Sequence, residues 1–373
     1  MRIAILTSSR ADFGIYLPLL KKLKEDPFFD LKIIAFGTHL SPFHGFTIDQ
    51  IIKEGFEANY KIESLVLSDS QDAISSAMGL TMIKFSSFWK EHHKQFDLVF
   101  CLGDRYEMFA AVLSALPFHV KFAHLHGGEK TLGAIDNVFR HSISLASSIH
   151  FTSTEEYKNR IYTLLDEPNN VYNVGALSLD NILQIPLLDN KEFEQKWGIN
   201  LNQPTTGLIT FHPETVNSDK NAFYAQEIIN SIYSNPALQF LITMPNADTA
   251  GNVIRNLFIK QLTNNKKVFL IENLGTQSYF SAIKNCSFLL GNTSSGIIEA
   301  ASFGKYVINL GDRQKGRLCG KNVIHIPILE NEINLSIQKI VNQPPFVEEN
   351  IYYNGGASNK IVATLKALNI NEE

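Results

Sequence analysis

The sequence predicts an α/β protein of two Rossmann-like, doubly wound domains with an interdomain cleft. Three observations predict it. Apolar runs of strand length alternate with helical-period segments from one end of the chain to the other. A stretch of linker composition between Leu177 and Thr206 splits that alternation into two series. Several strand-like runs end in loops dense with ionisable or small polar residues, the composition expected where open parallel sheets bind ligands.

The front series begins with the run Ile3–Thr7, followed by a helical pattern over Ile15–Glu25 and a second run, Leu31–Phe36. A long helical segment spans Ala73–Lys94. Leu98–Leu102, helix Arg105–Leu116, the run Val120–Ala123 (apolar to Leu125), helix Asn137–Ala146, Ile149–Thr152 and Val171–Val174 complete it. The runs lack polar alternation, as strands buried on both faces do. The rear series has strands Thr206–Phe211, Gln239–Thr243, Val268–Ile271, Phe288–Leu290, Val307–Asn309 and Val323–His325. Its helices are Asn221–Tyr233, Gly251–Thr263, Ser278–Lys284 and Ser295–Phe303. Domains are expected at 1–180 and 181–354, with residues 355–373 forming a last helix that returns to the first domain.

The chain has 373 residues, 45% hydrophobic and 19% charged, enough for two ordinary domains. A net charge of −4 disfavours nonspecific nucleic-acid binding. No run approaches the roughly 18 apolar residues of a membrane span. The strand pattern starting at Arg2 leaves no room for a signal peptide. Cys101, Cys286 and Cys319 lack CxxC or metal spacing, which points to reduced thiols in a cytoplasmic protein.

The chemistry concentrates between Asp97 and His141. Gly103-Asp104-Arg105 follows one strand; His124-Leu125-His126-Gly127-Gly128-Glu129 ends the next. Adjacent strand ends would gather Asp104, Arg105, His126, Glu129 and Asp136 at one edge, an acid–base site. The turn Thr7-Ser8-Ser9-Arg10-Ala11-Asp12 joins a strand to a helix, and suits an anion beside Arg10 or is simply a capped turn. It is not GxGxxG. His39 is a possible ligand contact; His92 and His93 read as surface residues. No HExxH or similar metal spacing appears.

In the rear half, Gly291-Asn292-Thr293-Ser294-Ser295-Gly296 lies between a strand and a helix, with small residues and hydroxyls that admit a phosphate. Glu299, one turn on, either accepts from a ribose diol or complements the helix dipole. His212 ends a strand in Phe211-His212-Pro213-Glu214. Asn246 positions a ligand or merely forms a turn. Arg313 and Arg317 either neutralise a diphosphate or are solvated.

Taken together, TSSRADFG, LGDRYE, HLHGGEKTLGAID, RHSI, TSTEEYK, FHPET, NAD, GNTSSG and INLGDRQKGR resemble the bacterial hydrolysing UDP-N-acetylglucosamine 2-epimerases of sialic acid biosynthesis, in matching order along nearly the whole chain. The resemblance implies a glycosyltransferase-B type fold and conversion of UDP-N-acetylglucosamine and water to N-acetylmannosamine and UDP. It implies no nicotinamide, no obligatory metal, and a homodimer or homotetramer. The reaction is anti elimination of UDP to a 2-acetamidoglucal, followed by hydration with inversion at the second carbon.

By the same resemblance, Asp104 is the base or the cation stabiliser, Asp136 the second acid, and His212 the histidine near the leaving diphosphate. Arg10, Ser294, Ser295, Glu299 and Arg313 fall on nucleotide-binding positions. His126 stands where animal and non-hydrolysing relatives carry a catalytic glutamate, so either His126 takes that role or Glu129 reaches into the space. The rival substrate is UDP-2,4-diacetamido-2,4,6-trideoxyglucose, the legionaminic acid precursor. A glycosyltransferase of the same fold would need fewer clustered acids; in a non-catalytic nucleotide sensor UDP would bind and Asp104→Asn would alter no turnover.

Overall fold

A computed structural model describes residues 1–42, 45–68, 70–132, 135–166, 169–201, 205–214, 218–245 and 251–368. The chain divides into two compact units: 1–129 with 136–184 and 352–373, and 130–135 with 185–351. Both are parallel sheets with intervening helices, as the alternation predicts.

The first unit contains β1 (Arg2–Thr7), α1 (Arg10–Glu25), β2 (Asp30–Phe36), α2 (Ile48–Lys53), β3 (Tyr60–Ile62), α3 (Gln71–His92) and β4 (Leu98–Leu102). It continues through α4 (Tyr106–Leu113), β5 (Phe122–Leu125), α5 (Asp136–Leu145), β6 (Ile149–Thr152), α6 (Glu155–Leu165), β7 (Val171–Asn173) and α7 (Ser178–Gln184). The described sheet order is β3-β2-β1-β4-β5-β6-β7. The order reverses direction between β1 and β4, the place where such sheets bind ligands. Val99 pairs with Phe122 and Leu102 with Leu125, so β4 and β5 end level. Both faces are covered: Ile5, Phe100 and Leu125 pack under α1, while Ala4, Val99 and Cys101 pack under α3 and α4 with Trp89 and Phe122.

The second unit contains α8 (Asn190–Trp197), β8 (Thr206–Thr210), α9 (Asn221–Ser234), β9 (Gln239–Thr243), α10 (Gly251–Leu262), β10 (Val268–Ile271) and α11 (Gly275–Asn285). Then come β11 (Phe288–Gly291), α12 (Ser294–Ile298), β12 (Val307–Leu310), β13 (Val323–Ile326) and α13 (Glu330–Val341). The described sheet order is β10-β9-β8-β11-β12-β13, reversing between β8 and β11. The last helix, α14 (Ala357–Ala367), belongs to the first unit and packs against α1. Asp180 caps it, accepting from the Ala357 and Ser358 backbone N–H groups at 3.0 and 2.8 Å.

Several expectations are corrected. The 177–206 stretch is not simply a linker: α7 and α8 form there, α8 through a capping box in which Asp189 and Glu192 satisfy each other's backbone donors. Helix Ser295–Phe303 breaks into α12 and a 3₁₀ turn over Ala300–Phe303 at Glu299. Helix Arg105–Leu116 stops at Leu113, and the strand expected at Val120 begins at Phe122. Helices α6 and α13 and the short strand β3 are further elements that the sequence reading did not include. His92 and His93 are half-buried rather than surface residues, His92 against Tyr60 and Phe88, His93 with Nδ1 2.7 Å from the Trp89 carbonyl.

Candidate functional site

In the first unit three adjacent strands deliver side chains to one edge. β4 runs into Asp104, β5 into His126 and β6 into Ser153. His126 takes a left-handed backbone (φ 65°), and its N–H donates to the Phe151 carbonyl at 3.1 Å. Gly128 turns the loop back inward at φ 79°; a Cβ there would lie 2.4 Å from the Tyr157 carbonyl oxygen, so no other residue fits. The turn delivers Glu129 into the interior, where it is 2% exposed.

The Glu129 carboxylate has two neighbours on one oxygen. Oε1 lies 2.8 Å from His126 Nδ1 and accepts the Ser153 hydroxyl at 3.0 Å. The Glu129 carbonyl accepts from Arg140 Nη1 at 3.2 Å, and Arg140 Nη2 pairs with the Asp104 carboxylate. Arg140 is 1% exposed. A guanidinium that deeply enclosed requires an anion, and Asp104 supplies it. One residue of α5 thus ties the end of β4 to the loop after β5. Asp136 opens α5 and is half-buried, four residues before Arg140 and so on the same helix face.

Behind this edge, His124 bridges the Gly103 carbonyl (Nε2, 2.9 Å) and the Ser144 hydroxyl (Nδ1, 2.9 Å). A carbonyl only accepts, so Nε2 carries the proton. Burial pushes the His124 imidazole down to about 3, and His150 beside it down to about 4, so both are neutral. Neither is a proton carrier at neutral pH; His124 instead sets the turn that presents Asp104.

Other expected residues fare differently. The Arg105 guanidinium turns to Glu107, at 3.0 and 3.2 Å. His39 is fully enclosed, its ring nitrogens 2.9 Å from the Thr7 and Thr47 hydroxyls. It braces the loop after β2 between Thr7 and Thr47. Burial moves His39 below its ordinary pKa. At the α1 turn Arg10 is half-buried, and the chain's own Asp12 takes up part of the anion's place. Its carboxylate accepts from Ser8 N–H at 2.7 Å and from the Ser8 and Ser9 hydroxyls.

In the second unit the ends of β8, β11 and β12 meet. Asn292, wholly buried, accepts from His212 N–H at 2.7 Å and donates to the His212 carbonyl at 2.8 Å. Gln314 Nε2 donates to the Asn292 carbonyl at 2.8 Å, and Arg313 Nη1 to the same oxygen at 3.5 Å. Glu214, 2% exposed, accepts from Asp312 N–H at 2.7 Å. His212, the Asn292–Ser295 turn and the Asp312–Arg317 loop therefore form one knot. Gly291 (φ 142°) permits it: a Cβ there would sit 2.0 Å from the Thr210 carbonyl oxygen. Thr293 caps α12, Ser294 is exposed, Ser295 is half-buried, and Glu299 ends the helix at 7% exposure. Arg317 is half-buried. Asn246 lies outside the described residues.

Sequence reasoning missed Arg140, Ser153, Asn292, Glu214 and Gln314. The signals were there: RHSI, TSTEEYK, GNTSSG, FHPET and GDRQKGR each contain one of them. Among the described residues no three His, Cys, Asp or Glu side chains are grouped to hold a metal, and no helix is long and apolar enough to cross a membrane.

A family model described as UDP-N-acetylglucosamine 2-epimerase matches residues 21–366. The chain is 36% identical over 340 residues to GDP/UDP-N,N'-diacetylbacillosamine 2-epimerase (hydrolyzing) of Campylobacter jejuni, covering 91% of this chain and 87% of that one. It is 31% identical over 372 residues to UDP-N,N'-diacetylbacillosamine 2-epimerase (hydrolyzing) of Legionella pneumophila, covering 100% and 97%. It is 34% identical over 333 residues to polysialic acid biosynthesis protein P7 of Escherichia coli, covering 89% and 84%. The fold is shared with a crystal structure of UDP-GlcNAc 2-epimerase from Neisseria meningitidis bound to UDP-GlcNAc: TM-score 0.83, 20% identity, 99% of this chain and 100% of that one.

Proposed function

The chain belongs to the UDP-N-acetylglucosamine 2-epimerase family, and from that premise we propose that it is a hydrolysing enzyme converting UDP-N-acetylglucosamine and water to N-acetylmannosamine and UDP. What supports the hydrolysing reading is similarity over most of the chain to relatives named as hydrolysing 2-epimerases of N,N'-diacetylbacillosamine nucleotides. The acid–base edge of the first unit supports it, since elimination and hydration both need positioned proton carriers.

In this reading the C–O bond from the first sugar carbon to the diphosphate breaks, with the electron pair leaving on UDP. The second carbon loses its proton, giving 2-acetamidoglucal. Water then adds at the first carbon, and a proton returns to the second carbon on the opposite face. Asp104, fixed by Arg140, offers a negative charge to oxocarbenium character at the first carbon. Asp136 is the second acid. His212 meets the leaving diphosphate, while Arg10, Ser294, Ser295, Arg313 and Arg317 hold the nucleotide and Glu299 its ribose. The enzyme acts in the cytoplasm as a homodimer or homotetramer, a state that sedimentation of the purified chain tests.

A second reading has a specific support: two relatives at 31 and 36% identity are named for N,N'-diacetylbacillosamine sugars. The chain then acts on UDP-2,4-diacetamido-2,4,6-trideoxyglucose by the same chemistry. Turnover of both nucleotides, read as UDP release, separates the two. Proton NMR of the product formed in deuterated water tests the shared mechanism. Deuterium at the second carbon is expected; retained protium there would reject proton abstraction.

A further inference from the structure

We propose that His126, through Nε2, is the base that takes the proton from the second sugar carbon, and that Glu129 is a positioning residue fixing its tautomer together with Ser153. The proposal rests on the sugar-nucleotide reading above and decides between the two side chains that share this loop. Glu129 is 2% exposed, and its Oε1 is already engaged by His126 Nδ1 and by the Ser153 hydroxyl. A carboxylate so enclosed holds a neighbour in place; it does not face a substrate arriving from solvent. His126 is the more open partner, its side chain 10% exposed against 2% for that of Glu129.

The hydrogen-bond roles follow. An ionised carboxylate only accepts, and the Ser153 hydroxyl can meet it only as a donor, so the short contact to His126 requires a proton on Nδ1. That leaves the Nε2 lone pair free in the neutral ring, the arrangement in which a buried carboxylate orients a histidine base. Among the described residues Nε2 takes no hydrogen bond. The backbone is consistent with a ring aimed on purpose. His126 holds a left-handed φ of 65°, which histidine adopts more readily than most side chains, and the Phe151 carbonyl fixes it through the His126 N–H. The charged and titratable groups around it are Glu129 on its own loop, Arg140 from α5 with Asp104 behind it, and neutral His124 on β5.

The step balances. Nε2 gains the proton and becomes imidazolium. The C–H electron pair forms the double bond between the first and second carbons, and the bond to UDP breaks. The proton delivered later comes from an acid on the other face, as inversion demands. Asp104, engaged by Arg140, is left as the charge that stabilises the cation.

The test has two arms. In the full chain, nitrogen-15 NMR should show the neutral His126 ring as the Nδ1-protonated tautomer, and Glu129→Gln or Ser153→Ala should erode that preference. An Nε2-protonated ring in the wild-type chain overturns the proposal even if no nucleotide is turned over. In steady-state kinetics, His126→Ala should lower kcat by at least 1,000-fold and regain activity with added imidazole. Glu129→Gln should lower kcat by about 10- to 100-fold with KM within threefold, and imidazole should not restore it. Ser153→Ala should show a smaller loss in the same direction. His126→Ala retaining a third of wild-type kcat, or Glu129→Gln abolishing turnover with its tautomer intact, overturns the assignment. A wild-type chain that releases UDP from neither sugar nucleotide rejects the functional reading instead, leaving the NMR arm to judge the geometry.

Discussion

Asn292 grips His212 by both backbone groups, accepting its N–H at 2.7 Å and donating to its carbonyl at 2.8 Å. An asparagine on the β11 turn thereby sets where β8 presents its histidine. Replacing Asn292 with Ala strands two buried backbone groups, each costing about 1–3 kcal/mol. Denaturant unfolding should show a loss of roughly 2–4 kcal/mol, with weakened UDP binding by calorimetry. Wild-type stability would mean the clamp contributes nothing.

Asp104→Asn removes the anion facing buried Arg140. Breaking such a pair leaves a buried charge uncompensated and costs up to about 3–5 kcal/mol, less here because the Asp104 side chain is 26% exposed. Product formation should be abolished, while UDP affinity stays within about tenfold, or 1.4 kcal/mol. Turnover at the wild-type rate would remove Asp104 from the chemistry.

Ser294→Ala with Ser295→Ala deletes two hydroxyls at the head of α12. Nucleotide affinity should fall by about 1 kcal/mol for each lost hydrogen bond. Calorimetry giving an unchanged UDP affinity would place the nucleotide elsewhere.

His124 and His150 give stability a pH dependence. Unfolded, both titrate near the ordinary histidine value of 6.5; folded, burial holds them at about 3 and about 4. Between those limits the unfolded chain binds more protons. Their contribution is therefore complete above about 6.5 and is lost as pH falls from 6.5 toward 4, by up to about 1.4 kcal/mol per pH unit for each. Urea midpoints at pH 7, 6 and 5 should descend in that order. A flat series would show that the histidines are not held neutral.

The alternation of apolar runs and helical segments made both sheets legible, because strands buried on two faces need continuous apolar sequence. Helices α1, α3 and α9 were read from the sequence, whereas α6 and α13 were not, although their apolar stripes are no weaker. The stretch between Leu177 and Thr206 carries an amphipathic piece ending at Trp197-Gly198 as well as linker residues; α8 forms on it, opened by the Asp189–Glu192 capping box, and the two units part within it at residue 185.

The sequence alone also placed Asp104, His126, Glu129 and Asp136 at or just beyond the ends of two predicted strands. What it left open was which of them touch. Arg140 is one of eight arginines until α5 folds over β4 and β5 and closes it on Asp104 and the Glu129 carbonyl. Asn292, Gln314 and Glu214 are ordinary polar residues until three strand ends converge. The partners named here lie 11 to 98 positions away along the chain. Local pattern encodes which segment becomes strand or helix; only the crossing of distant segments decides which donor meets which acceptor.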